Sequence, residues 1–456
     1  MAQSIGAGRI RLTGMRLFSV VWSGQFFSLL GTYMSQFALS IWAWQRTGEA
    51  TALALVALFN FAPTIIMLPI AGVLVDRWNR KLVMMLGDIA SGIATIAVFI
   101  LLTSGRLEVW HLYVTGAFMG IFQSFQWPAY SATVSLMVDK KDYARASGML
   151  SLADSVSNIC APAGAGVLIG IIGVGGILSI DIATFLIAVG ILLAVVIPQP
   201  PKQEAQRKSI LSDSAFGFRY IWDRRPLLAL QLVFFASNLI MGFAFTILTP
   251  MIMSRTGNDT LVMGGVQSAF GVGGVVGGLI LSAWGGPKRR VDGVLLGMAG
   301  TSLLGITLLG IGRIPIVWML AAFLTMIFLP LSNGGNQAIW QSKVPPELQG
   351  RVFSTRGLIA QISTPISMVI AGPLADNVMT PAMMPGGSLA SVFGWLVGVG
   401  PGAGMALIFV FVGIIGTAVA LMGYAFSDIR DVEKKVSDHD AVRVETSGTG
   451  SSSAPP

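Results

Sequence analysis

The segment GVLVDRWNRK, residues Gly72–Lys81, decides how the rest of the chain is interpreted. It places three basic side chains between two apolar runs, 50–75 and 89–105, that contain no charged residue. A helix needs about 20 mostly apolar residues to cross the roughly 30 Å of hydrocarbon in a bilayer. The segment is therefore predicted to be a short basic loop between two membrane-spanning helices.

The same alternation of apolar run and charged loop continues along the whole chain. Of its 456 residues, 54% are hydrophobic and only 11% are charged, whereas charged residues make up about a quarter of a soluble domain. Twelve uncharged, mostly apolar runs follow one another: 17–45, 50–75, 89–105, 109–138, 155–180, 182–201, 226–254, 260–287, 293–312, 314–342, 357–375 and 377–427. The pattern predicts an all-α membrane protein with twelve transmembrane helices.

The basic residues are divided unevenly between the two sides of such a protein. If both termini lie in the cytoplasm, 25 of the 29 Lys and Arg residues fall on the cytoplasmic side. The other four are Arg46, Arg106, Arg255 and Arg313. Because cytoplasmic loops of membrane proteins carry an excess of Lys and Arg, this division predicts a multi-pass protein with both termini in the cytoplasm.

The predicted organisation has five segments: a cytoplasmic N-terminal segment (1–16), a six-helix half (17–197), a cytoplasmic linker with an amphipathic helix (198–226), a second six-helix half (227–426) and a disordered cytoplasmic tail (427–456). The tail is charged and then rich in Ser and Gly, which is typical of disorder. Within the second half, the Gly- and Pro-rich stretch 376–402 is predicted to be an external loop.

The two halves repeat each other. At an offset of 206 residues the matching pairs are Gly72 and Gly278, Leu74 and Ile280, Trp78 and Trp284, Val138 and Val344, and Arg145 and Arg351. The pairs fall in two separate loops, which favours a duplicated six-helix unit and two pseudo-symmetric halves. Many membrane transporters are built from such repeats, with the binding site at the repeat interface.

These segments resemble a known family. The pattern Gly72-x-Leu74-x-Asp76-Arg77-x-x-Arg80-Lys81, between the second and third spans, resembles the loop signature of the major facilitator superfamily. Further segments resemble its bacterial drug-efflux branch, which includes macrolide exporters: WSGQFFSLLGTYMSQFALSIW, FQWPAYSATVSLMV, IDIATFLIA, RYIWDRRPLL, VPPELQGRVFS and ISTPISMVIAGPLAD. The resemblance runs from about residue 16 to residue 435.

The resemblance implies a secondary active transporter with the major facilitator fold in the bacterial cell membrane. Such a protein exports hydrophobic or amphiphilic drug-like compounds, of macrolide or multidrug type, by alternating access in exchange for protons. The expected partners are the small-molecule substrate, protons and the lipid bilayer, and a monomer is expected. Other substrates on the same fold stay open: siderophore export, lysophospholipid movement or uptake.

Several function classes lack the residues that they need. The lone Cys160 excludes a disulfide framework and a cysteine metal cluster, and no metal or cofactor is expected. The chain has no phosphate-binding loop, so ATP-driven pumping is not expected. The net charge of +8 is accounted for by the loops, so no nucleic-acid partner is expected. A membrane-embedded enzyme is only a remote alternative, because the spans hold no catalytic set.

A cytoplasmic gate is predicted around the loop signature. Its basic residues and two acidic residues after the fourth span would pair when the gate is closed, and such exposed pairs are worth about 0–1 kcal/mol each. The predicted members are Gly72, Asp76, Arg77, Arg80, Lys81, Asp139, Asp142, Arg145 and Arg351. The alternative is that these residues only set the topology.

Three carboxyl groups fall inside predicted spans, whose estimated bounds are 82–104, 145–171 and 174–197: Asp88, Asp154 and Asp181. Ionisable residues at membrane depth are costly and therefore candidates for function. At about 1.5 Å per residue, Asp154 lies about 14 Å from the start of its span, close to the midplane. Asp154 is accordingly the first candidate for the proton carrier. The alternative is a carboxyl that only bonds neighbouring hydroxyl groups.

A substrate cavity is expected between spans 1, 4, 7 and 10, following the superfamily arrangement. Polar and aromatic side chains form stripes there: Gln25, Thr32, Gln36, Gln123, Gln126, Trp127, Tyr130, Asn238, Asn333, Asn336, Gln337 and Trp340. No basic residue is predicted at mid-span, which favours neutral or cationic amphiphiles. Each of these residues taken singly could instead be a contact between helices.

Span 5 also contains a stretch that resembles the antiporter signature of the superfamily, with Ala161, Pro162 and Gly166 at its positions. The signature is rich in Gly, and here Ala replaces some of the glycines. Small residues are retained, and small residues allow close helix packing. The resemblance therefore supports antiport.

Overall fold

The computed structural model describes residues 12–77, 79–139, 142–197 and 210–438. Contacts between Cα atoms group the chain into two compact units. Unit 1 comprises Met1–Gln206, Thr246–Gly271 and Met368–Pro381, and unit 2 comprises Arg207–Phe245, Val272–Ser367 and Ala382–Pro456. The predicted division at 197 and 227 follows the sequence repeat, whereas packing assigns parts of the second half to unit 1.

Four helices and one long double helix lie in the first part of unit 1. They are α1 (Gly14–Thr47), α2 (Ala50–Arg77), α3 (Arg80–Thr103), α4 (Val109–Met137) and α5 (Tyr143–Ala194). With 52 residues, α5 is long enough for two spans of about 20 residues each. It is broken at Gly173, whose φ of 67° is open to Gly without strain. The predicted spans 145–171 and 174–197 meet at this break.

The helices that follow are α6 (Ile210–Trp222), α7 (Arg225–Thr256), α8 (Thr260–Trp284), α9 (Arg290–Gly300), α10 (Leu308–Ile311), α11 (Pro315–Ile327), α12 (Leu329–Lys343), α13 (Pro346–Leu374), α14 (Thr380–Met383), α15 (Ala390–Val397), α16 (Ala403–Ala425), α17 (Ser427–Arg430) and α18 (Val432–Lys435). Two π-helical segments, Thr301–Thr307 and Ala375–Met379, join α9 to α10 and α13 to α14.

The predicted all-α membrane fold is confirmed. Nine helices in the described part of the chain are long and apolar enough to cross a membrane, counting α5 once. The helices α1 and α4, of 34 and 29 residues, are also long enough to cross a membrane, but they carry the polar side chains that were predicted to line a cavity. A total of twelve spans is consistent with this set.

The predicted external loop 376–402 is mostly helical. The segment Ala375–Met379 continues α13 as a π-helix into α14, and Ala390–Val397 forms α15. Its sequence, ASVFGWLV, is apolar and contains no Pro, so it can form a helix. Most of the Gly and Pro residues that suggested a loop lie outside these helices, whereas Pro381 lies in α14 and Gly394 in α15.

The amphipathic helix predicted in the linker is α6. Tyr220 and Ile221 are buried in the core of unit 2, while Trp222 is 72% exposed. A Cβ atom at Gly217 would lie 2.7 Å from the carbonyl oxygen of Arg351, so glycine permits α6 to approach α13 closely. The helix is therefore an integral part of unit 2.

The predicted disordered tail is wrong for residues 427–438. This segment forms α17 and α18, and its apolar side chains Ile429 and Val432 are buried in the same core as Trp340. Two apolar side chains at helical spacing provide enough burial to fix a short charged segment against a larger core. Residues 439–456 lie outside the described residues.

A buried lysine holds this tail. The side chain of Lys343, at the end of α12, is only 4% exposed. Its Nζ atom donates to the carbonyl oxygen of Glu433 at 2.5 Å and lies 2.8 Å from Oδ1 of Asp438. The hydrogen bond from Lys343 lowers the pKa of Asp438 below its usual value. A buried ammonium group needs such partners, because leaving it unpaired is costly.

Removing the carboxyl group in Asp438→Ala is expected to loosen the tail. An exposed ion pair is worth up to about 1 kcal/mol, which corresponds to an about fivefold larger released population. Limited trypsin digestion should cut at Lys434 or Lys435 correspondingly faster. Because the pKa of Asp438 is lowered when folded, the contact is present above its unfolded value of about 3.9 and is lost as the pH falls through the folded value. Equal cleavage of both proteins at pH 7 would contradict this role.

Candidate functional site

Unit 1 contains a cavity of about 440 Å³ between helices α1 to α5. Six of the residues predicted from the sequence line it: Gln25, Thr32, Gln36, Gln123, Gln126 and Tyr130. Asn60 and Thr64 of α2 also line the cavity. They were not predicted from the sequence, because only spans 1, 4, 7 and 10 were expected to form the cavity. Their spacing of four residues was the available signal. Trp127 is a predicted member whose side chain lies outside the described residues.

Asp88 is the buried carboxyl group of this cavity. It is 3% exposed and lies on α3, between α1 and α4. Its Oδ2 atom accepts a hydrogen bond from Nε2 of Gln25 at 2.8 Å, and its Oδ1 atom accepts one from Nε2 of Gln126 at 2.6 Å. Two amide donors on one carboxyl group stabilise its ionised form. The three side chains join α1, α3 and α4 at the cavity wall.

Tyr130 stands one helical turn beyond Gln126 on α4 and also lines the cavity. Its hydroxyl group is buried and has no hydrogen-bond partner among the described residues. A buried hydroxyl without a partner is costly, so a water molecule or a ligand group in the cavity would be bound favourably there. The cavity therefore has an open hydrogen-bonding position near its carboxyl group.

Asp154 also lines the cavity, but in a different environment. It is exposed, and its Oδ1 atom accepts a hydrogen bond from the hydroxyl group of Tyr33 at 3.1 Å. Asn158 donates to the backbone carbonyl oxygen of Asp154. The depth estimated from the sequence did not reveal that this side chain is open while Asp88 is enclosed.

Asp181 lies behind the cavity wall. It is 3% exposed and accepts hydrogen bonds from Thr32 at 3.3 Å and from Thr95 at 3.1 Å. Thr32 lines the cavity and thus separates Asp181 from it. These hydroxyl groups satisfy the carboxyl group within the helix bundle. The arrangement is that of a buried contact between α1, α3 and α5.

Comparison with known protein families identifies the family of this chain. The family model described as Major Facilitator Superfamily matches residues 21–368. The chain belongs to the major facilitator superfamily. The family and its structural neighbours are transporters, so the fold and the helix pattern described above are those of a membrane transporter.

Among the relatives, macrolide efflux protein A of Streptococcus pyogenes is 28% identical over 373 residues, which cover 79% of this chain and 90% of the relative. The multidrug efflux pump Tap of Mycolicibacterium fortuitum is 23% identical over 345 residues, covering 73% and 82%. The crystal structure of the nucleoside transporter NupG aligns with a TM-score of 0.67 at 12% identity, covering 90% of this chain and 100% of that one. The structural likeness shows the fold alone.

The loop signature of the superfamily is only partly described. Gly72, Asp76 and Arg77 lie in α2 and Arg80 begins α3, but their side chains lie outside the described residues. Nζ of Lys81 donates to the carbonyl oxygen of Val195 at 2.6 Å, at the end of α5. Asp139 and Arg145 are exposed, and Asp142 occupies the N-cap position of α5. The gate between these loops stays a prediction.

The stretch that resembles the antiporter signature packs closely against α8. Thr260 Oγ1 donates to the carbonyl oxygen of Gly166 at 2.9 Å. A Cβ atom at Gly264 would lie 2.6 Å from the carbonyl oxygen of Pro162, and Ala161 is completely buried. Small residues thus bring the backbones of α5 and α8 together, as small residues do in membrane helix pairs.

Two predicted cavity residues of unit 2, Gln337 and Trp340, lie near an arginine. Nη1 of Arg356 donates to Oε1 of Gln337 at 2.9 Å, and its guanidinium group lies 5.4 Å from the ring centre of Trp340. Trp340 and Asn336 are buried, Asn333 is exposed and Asn238 is half-buried. The predicted gate residue Arg351 lies over the ring of Phe216. Arg356 lies in α13, near the start of the apolar stretch Leu348–Met383.

Proposed function

We propose that the chain is a secondary active transporter that exports hydrophobic or amphiphilic drug-like compounds in exchange for protons. It would reside in the bacterial cell membrane as a monomer with both termini in the cytoplasm. Support comes from the positive-inside division of the loops. The names of two relatives, a macrolide efflux protein and a multidrug efflux pump, support the substrate class.

The chemistry of the cavity fits such a substrate. Its walls combine aromatic rings such as Trp22 and Phe26 with neutral hydrogen-bonding groups and two carboxyl groups. An apolar pocket with a few convergent polar groups is typical of small-molecule sites. Carboxyl groups favour a neutral or cationic amphiphile over an anion.

The observation that carries the proposal is the enclosed carboxyl group of Asp88. An antiporter needs a group that takes up a proton in one state and releases it in another. A buried carboxyl group whose hydrogen-bond donors are side chains that can change conformation meets that requirement. When Asp88 is protonated, one of its oxygen atoms carries an O–H donor, which changes its hydrogen bonding with Gln25 and Gln126. That change occurs at the cavity wall, where a substrate would bind. We therefore favour Asp88 over Asp154 and Asp181 as the proton carrier.

Transport in proteoliposomes tests this function. Vesicles with an acidic lumen should accumulate a fluorescent cationic amphiphile and a radiolabelled macrolide, and accumulation should collapse when a protonophore removes the gradient. Labelled lysophospholipid is tested in parallel with the two drugs. Movement of the lipid alone, with neither drug accumulated, would contradict drug export and favour the lipid alternative.

A further inference from the structure

Asp376 binds the start of a helix that is distant in sequence. It lies in the π-helical segment Ala375–Met379 that continues α13. Its Oδ1 atom accepts the backbone N–H of Ala50 at 3.0 Å, and its Oδ2 atom accepts the backbone N–H of Thr51 at 2.7 Å and the hydroxyl group of Thr51 at 2.6 Å. Both carboxylate oxygens are therefore used on the first two residues of α2.

These bonds answer a general requirement of helices. The first N–H groups of a helix have no partner within it and usually bind a side chain just before the helix. The carboxyl group that binds the start of α2 belongs instead to Asp376, which lies 325 residues after Thr51 in the chain. A carboxylate at this position also interacts favourably with the positive end of the helix dipole. The start of α2 thus depends on a residue from the second half of the sequence.

The backbone around Asp376 is shaped for this contact. Gly372 lies one turn earlier on α13, and a Cβ atom there would lie 2.7 Å from the Cα atom of Thr51 and 3.1 Å from the Cβ atom of Ala54. Both are short contacts with atoms that have little freedom to move. Glycine at this position is therefore what permits α13 to approach α2.

Two other contacts join the first-half helices of unit 1 to its second-half segments. Nε1 of Trp44, near the end of α1, donates to Oδ1 of Asn258 at 2.9 Å. Thr260, at the start of α8, donates to Gly166 of α5. All three contacts lie near the ends of helices, where α1 finishes and where α2 and α8 begin. Together they join the helices at this end of unit 1.

We propose that Asp376 is a gate residue: its three hydrogen bonds to α2 hold this end of unit 1 closed and must break when the cavity opens there. The inference rests on the proposed transport function, since a cavity that opens alternately to the two sides requires such contacts to form and break. The signature loop at Arg77 lies at the other end of the same helix. One helix would thereby be held at its start by Asp376 and at its end by the predicted cytoplasmic gate.

Labelling of a single cysteine tests this proposal without any substrate. The native Cys160 is replaced by Ser, and Gln36→Cys, on the cavity wall in α1, serves as the reporter. In right-side-out vesicles, a membrane-impermeant maleimide reaches this cysteine only through the end that Asp376 closes. Asp376→Ala removes all three hydrogen bonds, and one hydrogen bond to a charged group is worth about a factor of ten or more, so the labelling rate should increase at least tenfold.

Asp259 offers a matched control. It also binds the first N–H groups of a helix, Leu261 and Val262 of α8, but the cap is local to its own chain segment. Asp259→Ala removes a cap of the same kind without separating distant segments, so labelling should stay within about twofold of the parent. Gly372→Val should act like Asp376→Ala, because the added side chain keeps α13 away from Thr51.

Parental labelling rates in both Asp376→Ala and Gly372→Val would overturn the gate. An equal increase in Asp259→Ala would also overturn it, since any lost helix cap would then have the same effect. The readout needs neither substrate nor pH gradient. Failure of drug transport in proteoliposomes would therefore contradict the proposed function and leave this result interpretable.

Discussion

Asp88→Asn is expected to abolish accumulation driven by a pH gradient, down to the level of protein-free vesicles. Asparagine has nearly the same shape as aspartate but cannot bind or release a proton in this range. Its amide can still interact with Gln25 and Gln126, so the cavity wall is retained. Exchange of labelled for unlabelled drug without a gradient should therefore persist. The measurement is uptake and exchange by the same vesicles.

Asp154→Asn and Asp181→Asn are the matched comparisons, since each makes the same chemical change. Asp154 is open and holds one hydroxyl donor, so its replacement should lower uptake only severalfold, as for one hydrogen bond of about 1 kcal/mol. Asp181→Asn should reduce the folded yield more than the coupling, because Asp181 is buried among hydroxyl groups. Full gradient-driven uptake by Asp88→Asn, together with its loss in Asp154→Asn, would return the carrier role to Asp154.

Gly264→Ala is expected to have the second large effect, a loss of most folded protein and of transport. The added methyl group would lie 2.6 Å from the carbonyl oxygen of Pro162, so two backbones must separate. Overpacking of this kind costs about 1–3 kcal/mol even where side chains can yield, and backbone has less freedom to yield. Thermal unfolding in detergent, followed by size-exclusion fluorescence, measures the folded fraction, and vesicle uptake measures transport.

Gly274 on the same helix provides the control. A Cβ atom there meets no other atom within 4 Å, so Gly274→Ala should be neutral or slightly stabilising through its higher helix propensity. The comparison separates the effect of close approach from the effect of losing glycine in α8. Equal melting temperatures for the two variants would show that α5 and α8 do not require the contact.

The sequence predicted the fold well, and its polar stripes contain residues that lie around the cavity, because both features depend on periodic patterns. Apolar runs of span length and a basic loop specify membrane helices almost independently of tertiary structure. The polar stripes of α1 and α4 line the cavity because polar side chains at helical spacing avoid lipid. Gln25 and Gln126 were found in this way.

The partners of those residues could not be found from spacing alone. Asp88 lies close to the end of its span by residue count, and only the packing of α1 and α4 around α3 encloses it. Asp376 was predicted only as the first residue of an external loop, because its partners Ala50 and Thr51 are 325 or more residues away. Contacts between distant residues leave no mark in local composition.

The prediction of a disordered tail was wrong for residues 427–438 for a related reason. Composition indicates disorder when a segment cannot bury enough apolar surface by itself. Ile429 and Val432 bury theirs against a core that belongs to α7, α9 and α12. Lys343 then supplies the hydrogen bond and the ion pair that fix the backbone. Disorder predicted from composition therefore needs to be checked against buried charges elsewhere in the chain.

The docked tail also sets where this protein can be shortened or fused. A chain that stops after Ala425 would leave the ammonium group of Lys343 without its acceptors at Glu433 and Asp438, and the hydrophobic core beside Trp340 would be open to solvent. A chain that stops after Asp438 keeps both. Purification tags and fluorescent reporters attached after Asp438 should therefore leave the yield of folded protein unchanged, whereas the same additions at Ala425 should lower it.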